Sequence, residues 1–336
     1  MASQKMLPNI WRSWVAENVL LDMTPEQIEQ HAVSAGMKRS LIREELKRAQ
    51  HSPYIEGGRW LAQRMNKLES MLRVRVEVAR QNKPRLSVPS RRRLSAETFR
   101  EKYYAHNRPV KLLDMLEDWP AMQKWTPEYF RDVYGDEMVE ITAARNGDAK
   151  YEINLEDHRR TVQFKSFIDQ VVSTFGNDSY LVANNKFFQQ PGMKSLMSDI
   201  GPLPGILTRK KRIPHTYLWF GPGGTVTPLH HDTMNILFCQ IYGSKQITLI
   251  SPDETPWLYN EISVYSEVDF ENPDLESYPL FQHVDQIEVV VNPGEVLFIP
   301  VGWWHHVRSL ETSISVSFTN FEFPNDYEWR HPEIRR

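Results

Sequence analysis

The 336-residue chain is predicted to be a mainly β protein, a sandwich or jelly-roll barrel with flanking helices, preceded by an α-helical N-terminal region. Three observations predict this. After Pro214, short runs rich in β-branched and aromatic residues follow one another. Turn sequences separate them: Gly221-Pro222-Gly223-Gly224, Tyr242-Gly243 and Asn292-Pro293-Gly294. Before residue 90, by contrast, apolar residues recur at spacings of three and four, the period of a helix.

The N-terminal elements read in order. Thr24-Pro25-Glu26-Gln27 has the form of a capping box with proline at the first helical position, and Gly36 stands where that helix would stop. A second helix is expected from about Ser40 to Gln50, ending before Pro53. The third and longest is expected from about Gly58 to Gln81. Its apolar positions Leu61, Met65, Leu68, Leu72, Val76 and Ala79 form one stripe, with Arg64, Lys67, Arg73, Arg75 and Arg80 on the other faces. Such a stripe calls for a partner: the short helices beside it, the rest of the chain, or a second copy. A homodimer is the preferred expectation. Residues 1–90 thus read as one helical region, for dimerisation or substrate positioning. The proline-broken basic run from Asn82 to Arg93 reads as an exposed linker.

From Ser95 to about Gly205, helical and extended signals alternate, with Phe99, Tyr103 and Tyr104 in one helix and Trp125 to Tyr134 in another. Strands are expected at Thr216–Phe220, Ile236–Tyr242, Gln246–Ile250, Ile287–Val291, Val296–Ile299 and Ile314–Phe318.

Composition excludes several classes. With 40% hydrophobic and 25% charged residues the chain is ordinary for a globular protein. No apolar run approaches the roughly eighteen residues of a membrane span, so no membrane partner is expected. The start lacks the apolar core of a secretory signal. A lone cysteine, Cys239, leaves no disulfide framework and no Cys-rich zinc module. A cytoplasmic setting is expected. The net charge of −3 conceals an asymmetry: residues 1–95 carry 18 Lys+Arg against 9 Asp+Glu, and the remainder 22 against 34. Either the two regions attract each other, or the basic one meets an acidic external partner.

The chemistry lies in the second region. Side chains alternate along a strand, so His230 and Asp232 of Leu229-His230-His231-Asp232 point one way and His231 the other. An imidazole and a carboxylate from one strand can then grip one metal ion. With a second histidine they would make the two-histidine, one-carboxylate set of non-haem iron sites. The third ligand is expected from Trp303-Trp304-His305-His306, where only one of the two histidines can face the metal. A packed core histidine beside two tryptophans is the alternative. Lys245 follows a tight turn. Pointing inward it would need an anionic partner; pointing outward it would be a solvated hairpin lysine.

Taken together, Trp219 through Asp232, Gln240 through Lys245, Phe270-Glu271-Asn272-Pro273-Asp274 and Pro293 through Val307 resemble the jumonji-C, cupin-like hydroxylases, closest to those acting on arginyl and asparaginyl side chains. The likeness covers about residues 95–325, which it marks as the oxygenase domain. It implies a double-stranded β-helix, the distorted jelly roll of that family. It implies iron(II) held by His230, Asp232 and His305, with 2-oxoglutarate as cosubstrate and dioxygen as oxidant. His305 is preferred to His306 because the family's ligand directly follows an aromatic residue and stands two before the valine. Lys245, Thr227 and Tyr180 would hold the distal carboxylate of 2-oxoglutarate, and Trp219 would pack near it. One departure stands out: the family often has Asn six residues after the first ligand, where this chain has Ile236, with Asn235 one residue early and so facing the other way on a regular strand. Ser317 would take up part of that role.

The implied reaction is hydroxylation of an amino-acid side chain in a protein or peptide, with release of succinate and carbon dioxide. Lysine-demethylating relatives commonly use Glu where this chain has Asp232. Two other readings remain. One is a tRNA-base hydroxylase of the same family, its RNA held by the basic N-terminal region, although nothing there resembles a known RNA-binding module. The other is a non-catalytic cupin-like binding protein.

Overall fold

The computed structural model describes residues 6–81, 87–183, 186–210, 212–260 and 263–327. Linker residues 82–86 lie outside them. The chain divides into two compact units, Met1–Val78 and Ala79–Arg336.

The first unit is helical: α1 (Asn9–Leu20), α2 (Pro25–Ser34), α3 (Arg39–Gln50) and α4 (Pro53–Arg80), whose last residues enter the second unit. The capping box of α2 forms in both directions, Gln27 N–H donating to Thr24 Oγ1 at 3.3 Å and Thr24 N–H to Gln27 Oε1 at 3.0 Å. Helix α1 escapes the sequence reading because its cap residue, Pro8, supplies no side-chain hydrogen bond. Helix α4 begins earlier than expected, at Pro53, whose fixed φ suits a first turn. Val15, Val19, Ile28, Ala32, Ile42 and Leu46 from α1 to α3 form one buried core. On α4 the expected apolar stripe is present, but Leu61, Met65 and Leu68 remain exposed.

Among the described residues the second unit holds strands β1 (Ser90–Arg91), β2 (Val110–Leu112), β3 (Met138–Ala143), β4 (Arg159–Gln163), β5 (Ser179–Tyr180), β6 (Thr216–Gly221), β7 (Val226–His231) and β8 (Ile236–Tyr242). They continue with β9 (Lys245–Ile250), β10 (Ile287–Val291), β11 (Val296–Ile299), β12 (Trp304–Ser309) and β13 (Ser313–Phe318). A six-stranded sheet runs β1-β2-β11-β8-β13-β6, a four-stranded sheet β10-β9-β12-β7, and a small sheet β4-β3-β5. Pairing is antiparallel except between β1 and β2. This is a mostly antiparallel β fold with flanking helices. The strands expected at Ile236–Tyr242, Ile287–Val291 and Val296–Ile299 form over those residues, and the other three are each one residue longer.

Alternation along the strands gives the six-stranded sheet two different faces. One packs on helices: Phe220 meets Phe130 of α5 (Pro127–Tyr134) and Phe164 and Phe167 of α6 (Phe164–Ser173), with ring centroids 6.0, 6.0 and 5.8 Å away. The other faces the four-stranded sheet, where Phe238, Leu297 and Ile299 pack with Ile247, Leu249, Val289 and Val291. Burying each such side chain stabilises the fold by about 1.5–3 kcal/mol. Polar side chains continue this inner face and form the candidate site. On the outer face of the four-stranded sheet the segment between β9 and β10 folds back, placing Leu258, Val268 and Phe281 against Leu229, Ile250 and Trp304.

Candidate metal centre

Strands β7 and β12 are antiparallel neighbours, and their register sets His305 opposite His230. Cross-strand partners project from the same face, so both imidazoles meet between the sheets, with ring centroids 4.1 Å apart. Asp232 lies just beyond the end of β7, and its Oδ2 is 3.3 Å from His305 Nε2. One ligand atom from each of His230, Asp232 and His305 lies within 4.8 Å of the others.

The hydrogen bonds around the imidazoles select the tautomer a metal needs. His230 Nδ1 lies 2.8 Å from the carbonyl of Pro228, and His305 Nδ1 lies 3.0 Å from the carbonyl of Trp303. A carbonyl only accepts, so each Nδ1 carries the proton and each Nε2 keeps its lone pair. Burial pushes His230 down to about 4, with the neighbouring His305 acting in the same direction. Burial would raise the Asp232 carboxyl, but His305, whose Nε2 lies 3.3 Å from Oδ2, and the neighbouring His230 and His231 hold it below its usual value. With the His230 imidazole kept neutral by burial and the Asp232 carboxyl held low, the set offers two imidazole nitrogens and a carboxylate, the donor set of a divalent metal.

His306 lies apart from this set. Its ring stacks on Phe270, 4.5 Å between centroids, and its Nε2 is 3.6 Å from Glu271, which pairs with Arg308 through two contacts of 2.7 Å. His231 likewise turns away from the set and meets the Trp304 ring at 4.7 Å.

Lys245 points inward. It is 1% exposed, and Nζ donates to Tyr180 Oη at 2.7 Å. The rings of Tyr180 and Phe238 flank the ammonium at 5.2 and 5.5 Å. Burial pushes Lys245 down to about 7. A phenol supplies no negative charge, so a buried ammonium with donors to spare fits an incoming carboxylate. Tyr180 comes from the small sheet and reaches the site through a bridge between Leu181 and Phe220. Trp219 lies 6.0 Å from the Tyr180 ring and donates from Nε1 to Ser317 Oγ at 2.9 Å.

Thr227 reaches the same face by an irregularity. Three residues before His230, simple alternation would turn it away. Between His305 and Val307 the register slips, so that Pro228 and Leu229 together oppose His306 and Thr227 opposes Val307. Val307 shares a face with His305, and the bulge therefore returns Thr227 to the face of His230. Asn235 does not join this face; its side chain bonds Val301, Asn325 and Tyr327.

Two neighbours of the site carry no sequence signal. Tyr265, on an irregular segment, stacks over His230 at 5.6 Å. Arg145 is wholly buried, bonds Glu152 and the Val226 carbonyl at 2.8 Å each, and lies 4.2 and 5.3 Å from the rings of Tyr151 and Tyr180. Loop charges like Arg145 and Glu152 read as solvated until the fold buries them.

Comparison with known proteins agrees with this geometry. The family model of the cupin-like domain matches residues 95–326. Lysine-specific demethylase 8 of Xenopus tropicalis is 35% identical over 242 residues, covering 70% of this chain and 52% of that protein. Jumonji C domain-containing protein 5 of Drosophila melanogaster is 32% identical over 255 residues, 70% of this chain and 59% of that one. tRNA wybutosine-synthesizing protein 5 of Gallus gallus is 26% identical over 246 residues, 70% of this chain and 77% of that one. The chain spans just over half the length of the first two.

Proposed function

The chain belongs to the cupin-like family that includes the jumonji-C iron(II)- and 2-oxoglutarate-dependent oxygenases, and on that premise we propose that it hydroxylates an amino-acid side chain in a protein or peptide. The observation that carries this reading is the pairing of two built sites in one inter-sheet space: the His230, Asp232 and His305 set, and the buried Lys245–Tyr180 pair.

In this reading His230 Nε2, Asp232 and His305 Nε2 hold iron(II), while Lys245, Tyr180 and Thr227 receive the distal carboxylate of 2-oxoglutarate. Iron, 2-oxoglutarate and dioxygen together supply the oxidising power, with 2-oxoglutarate becoming succinate and carbon dioxide. What remains belongs to the chain. The Pro228 and Trp303 carbonyls fix the two imidazoles, and Ser317 holds Trp219 beside the Tyr180 ring. Leu249, Ile247 and Phe238 line the space with apolar surface and keep it dry.

Two observations favour a polypeptide substrate. The relatives named as lysine-specific demethylases share 31% to 36% identity with this chain, against 26% for those named for tRNA wybutosine synthesis. The catalytic half is also acidic, which repels a phosphate backbone. Hydroxylation and demethylation both begin at a C–H bond, and the product distinguishes them. Mass spectrometry of candidate peptides incubated with the enzyme should show the gain of one oxygen atom, absent with Asp232→Ala. Loss of a methyl group instead would make the chain a demethylase, and modification of tRNA alone would overturn the polypeptide reading.

A further inference from the structure

We infer that Asn235 is a positioning residue for the metal centre, holding the loop that carries Asp232 against the turn that orients His305. The inference rests on the reading that His230, Asp232 and His305 bind the metal.

Asp232 lies between β7 and β8, outside any strand, so no ladder fixes it. Asn235 closes the same loop. It is 2% exposed, and its polar groups are in use. Its Oδ1 accepts from Val301 N–H at 2.9 Å, and its Nδ2 donates to Asn325 Oδ1 at 2.9 Å and to Tyr327 Oη at 3.1 Å. Its backbone N–H donates to Asn325 Oδ1 at 2.8 Å, and its carbonyl accepts from Asn325 Nδ2 at 3.0 Å.

Val301 opens the turn that leads into β12. Asn235 takes its N–H, and Asn107 Nδ2 donates to its carbonyl at 2.9 Å, so one residue is gripped from both sides. The next residue, Gly302, donates its N–H to the Asp232 carbonyl at 3.0 Å. The residue after that, Trp303, is anchored through Nε1 to Asn107 and offers the carbonyl that receives His305 Nδ1–H. Hydrogen bonds on the consecutive residues Val301, Gly302 and Trp303 thus tie Asn235, the Asp232 carbonyl and the His305 ring to one short turn. Releasing Val301 lets the carboxylate loop and the imidazole drift apart, and metal affinity depends on both being in place.

Cobalt(II), whose visible absorption reports ligand number and geometry, tests this on the full chain. Thermal melting is recorded for every variant. Asn235→Ala should bind cobalt about 10–100-fold more weakly than the natural chain, with an altered visible band. Asn235→Asp keeps an oxygen for Val301 N–H and should recover part of the loss. If Asn235→Ala does not fold, Asn107→Ala releases the same residue from its other side and should show the same weakening. A folded Asn235→Ala protein with unchanged cobalt affinity and spectrum would overturn the inference. Failure of the underlying reading looks different: Asp232→Ala itself would then bind cobalt as the natural chain does.

Discussion

Lys245 Nζ lies 2.7 Å from the hydroxyl of Tyr180, and no carboxylate accompanies that ammonium among the described residues. The pair is poised to receive a negative charge.

Replacing Lys245 with Met should therefore separate cosubstrate from metal. Breaking a buried charge pair from one side costs about 3–5 kcal/mol, a hundredfold or more in 2-oxoglutarate affinity by calorimetry, while metal binding is retained. Without cosubstrate the same substitution should raise the melting temperature, because an uncompensated ammonium leaves the interior. Unchanged 2-oxoglutarate affinity would place the carboxylate elsewhere.

The same lysine gives binding a pH signature. Burial lowers it from the ordinary 10.5 to about 7. Between those values the unfolded chain holds a proton that the folded protein has released, so the cosubstrate-free fold gains stability as pH rises through that window. A bound carboxylate needs the ammonium, so 2-oxoglutarate binding near pH ~8.5 should take up about one proton. Calorimetry in buffers of differing ionisation enthalpy reads that uptake, and Lys245→Met should abolish it. Binding heats independent of the buffer would contradict it.

The two adjacent histidines should behave differently. His305→Ala should lose most bound iron after anaerobic reconstitution. His306→Ala should retain it, losing instead about 1 kcal/mol of stability with the Phe270 stack. Equal iron loss in both would undo the assignment.

Helix α4 leaves Trp60, Leu61, Met65, Leu68 and Met71 exposed in the single chain. A patch of this kind marks a contact surface, and a second copy of the chain is the proposed occupant. Light scattering across a concentration series should show a dimer that Met65→Lys with Leu68→Lys converts to monomer. A natural chain that stays monomeric throughout the series would refute the dimer.

The legible parts of this site share one property: each follows from strand periodicity or from residue type. His230 and Asp232 can be read from alternation, whereas the turn before Lys245 leaves that side chain free to point either way and the family resemblance is what turns it inward. Thr227 shows the limit of that reasoning, since its face depends on a bulge opposite His306 that spacing does not disclose. Tyr180 sits on a two-residue strand of a separate sheet, too short to have a period, and only the family resemblance pointed to it. Parity turns Asn235 from the cosubstrate face only on a regular strand, and its bonds to Val301 and Asn325 join residues 66 and 90 positions apart. Such long-range polar contacts depend on the folded chain and leave no local pattern.

The central claim is that the His230, Asp232 and His305 set works as an oxygenase centre. Its most direct test is succinate formation from 2-oxoglutarate, followed by proton NMR in aerobic buffer with iron(II), for the natural chain and for Asp232→Ala. Succinate should accumulate with the natural chain, vanish on chelation of iron, and be absent with Asp232→Ala. Succinate formed equally by both proteins, or by neither while the natural chain binds iron and 2-oxoglutarate, would contradict the claim.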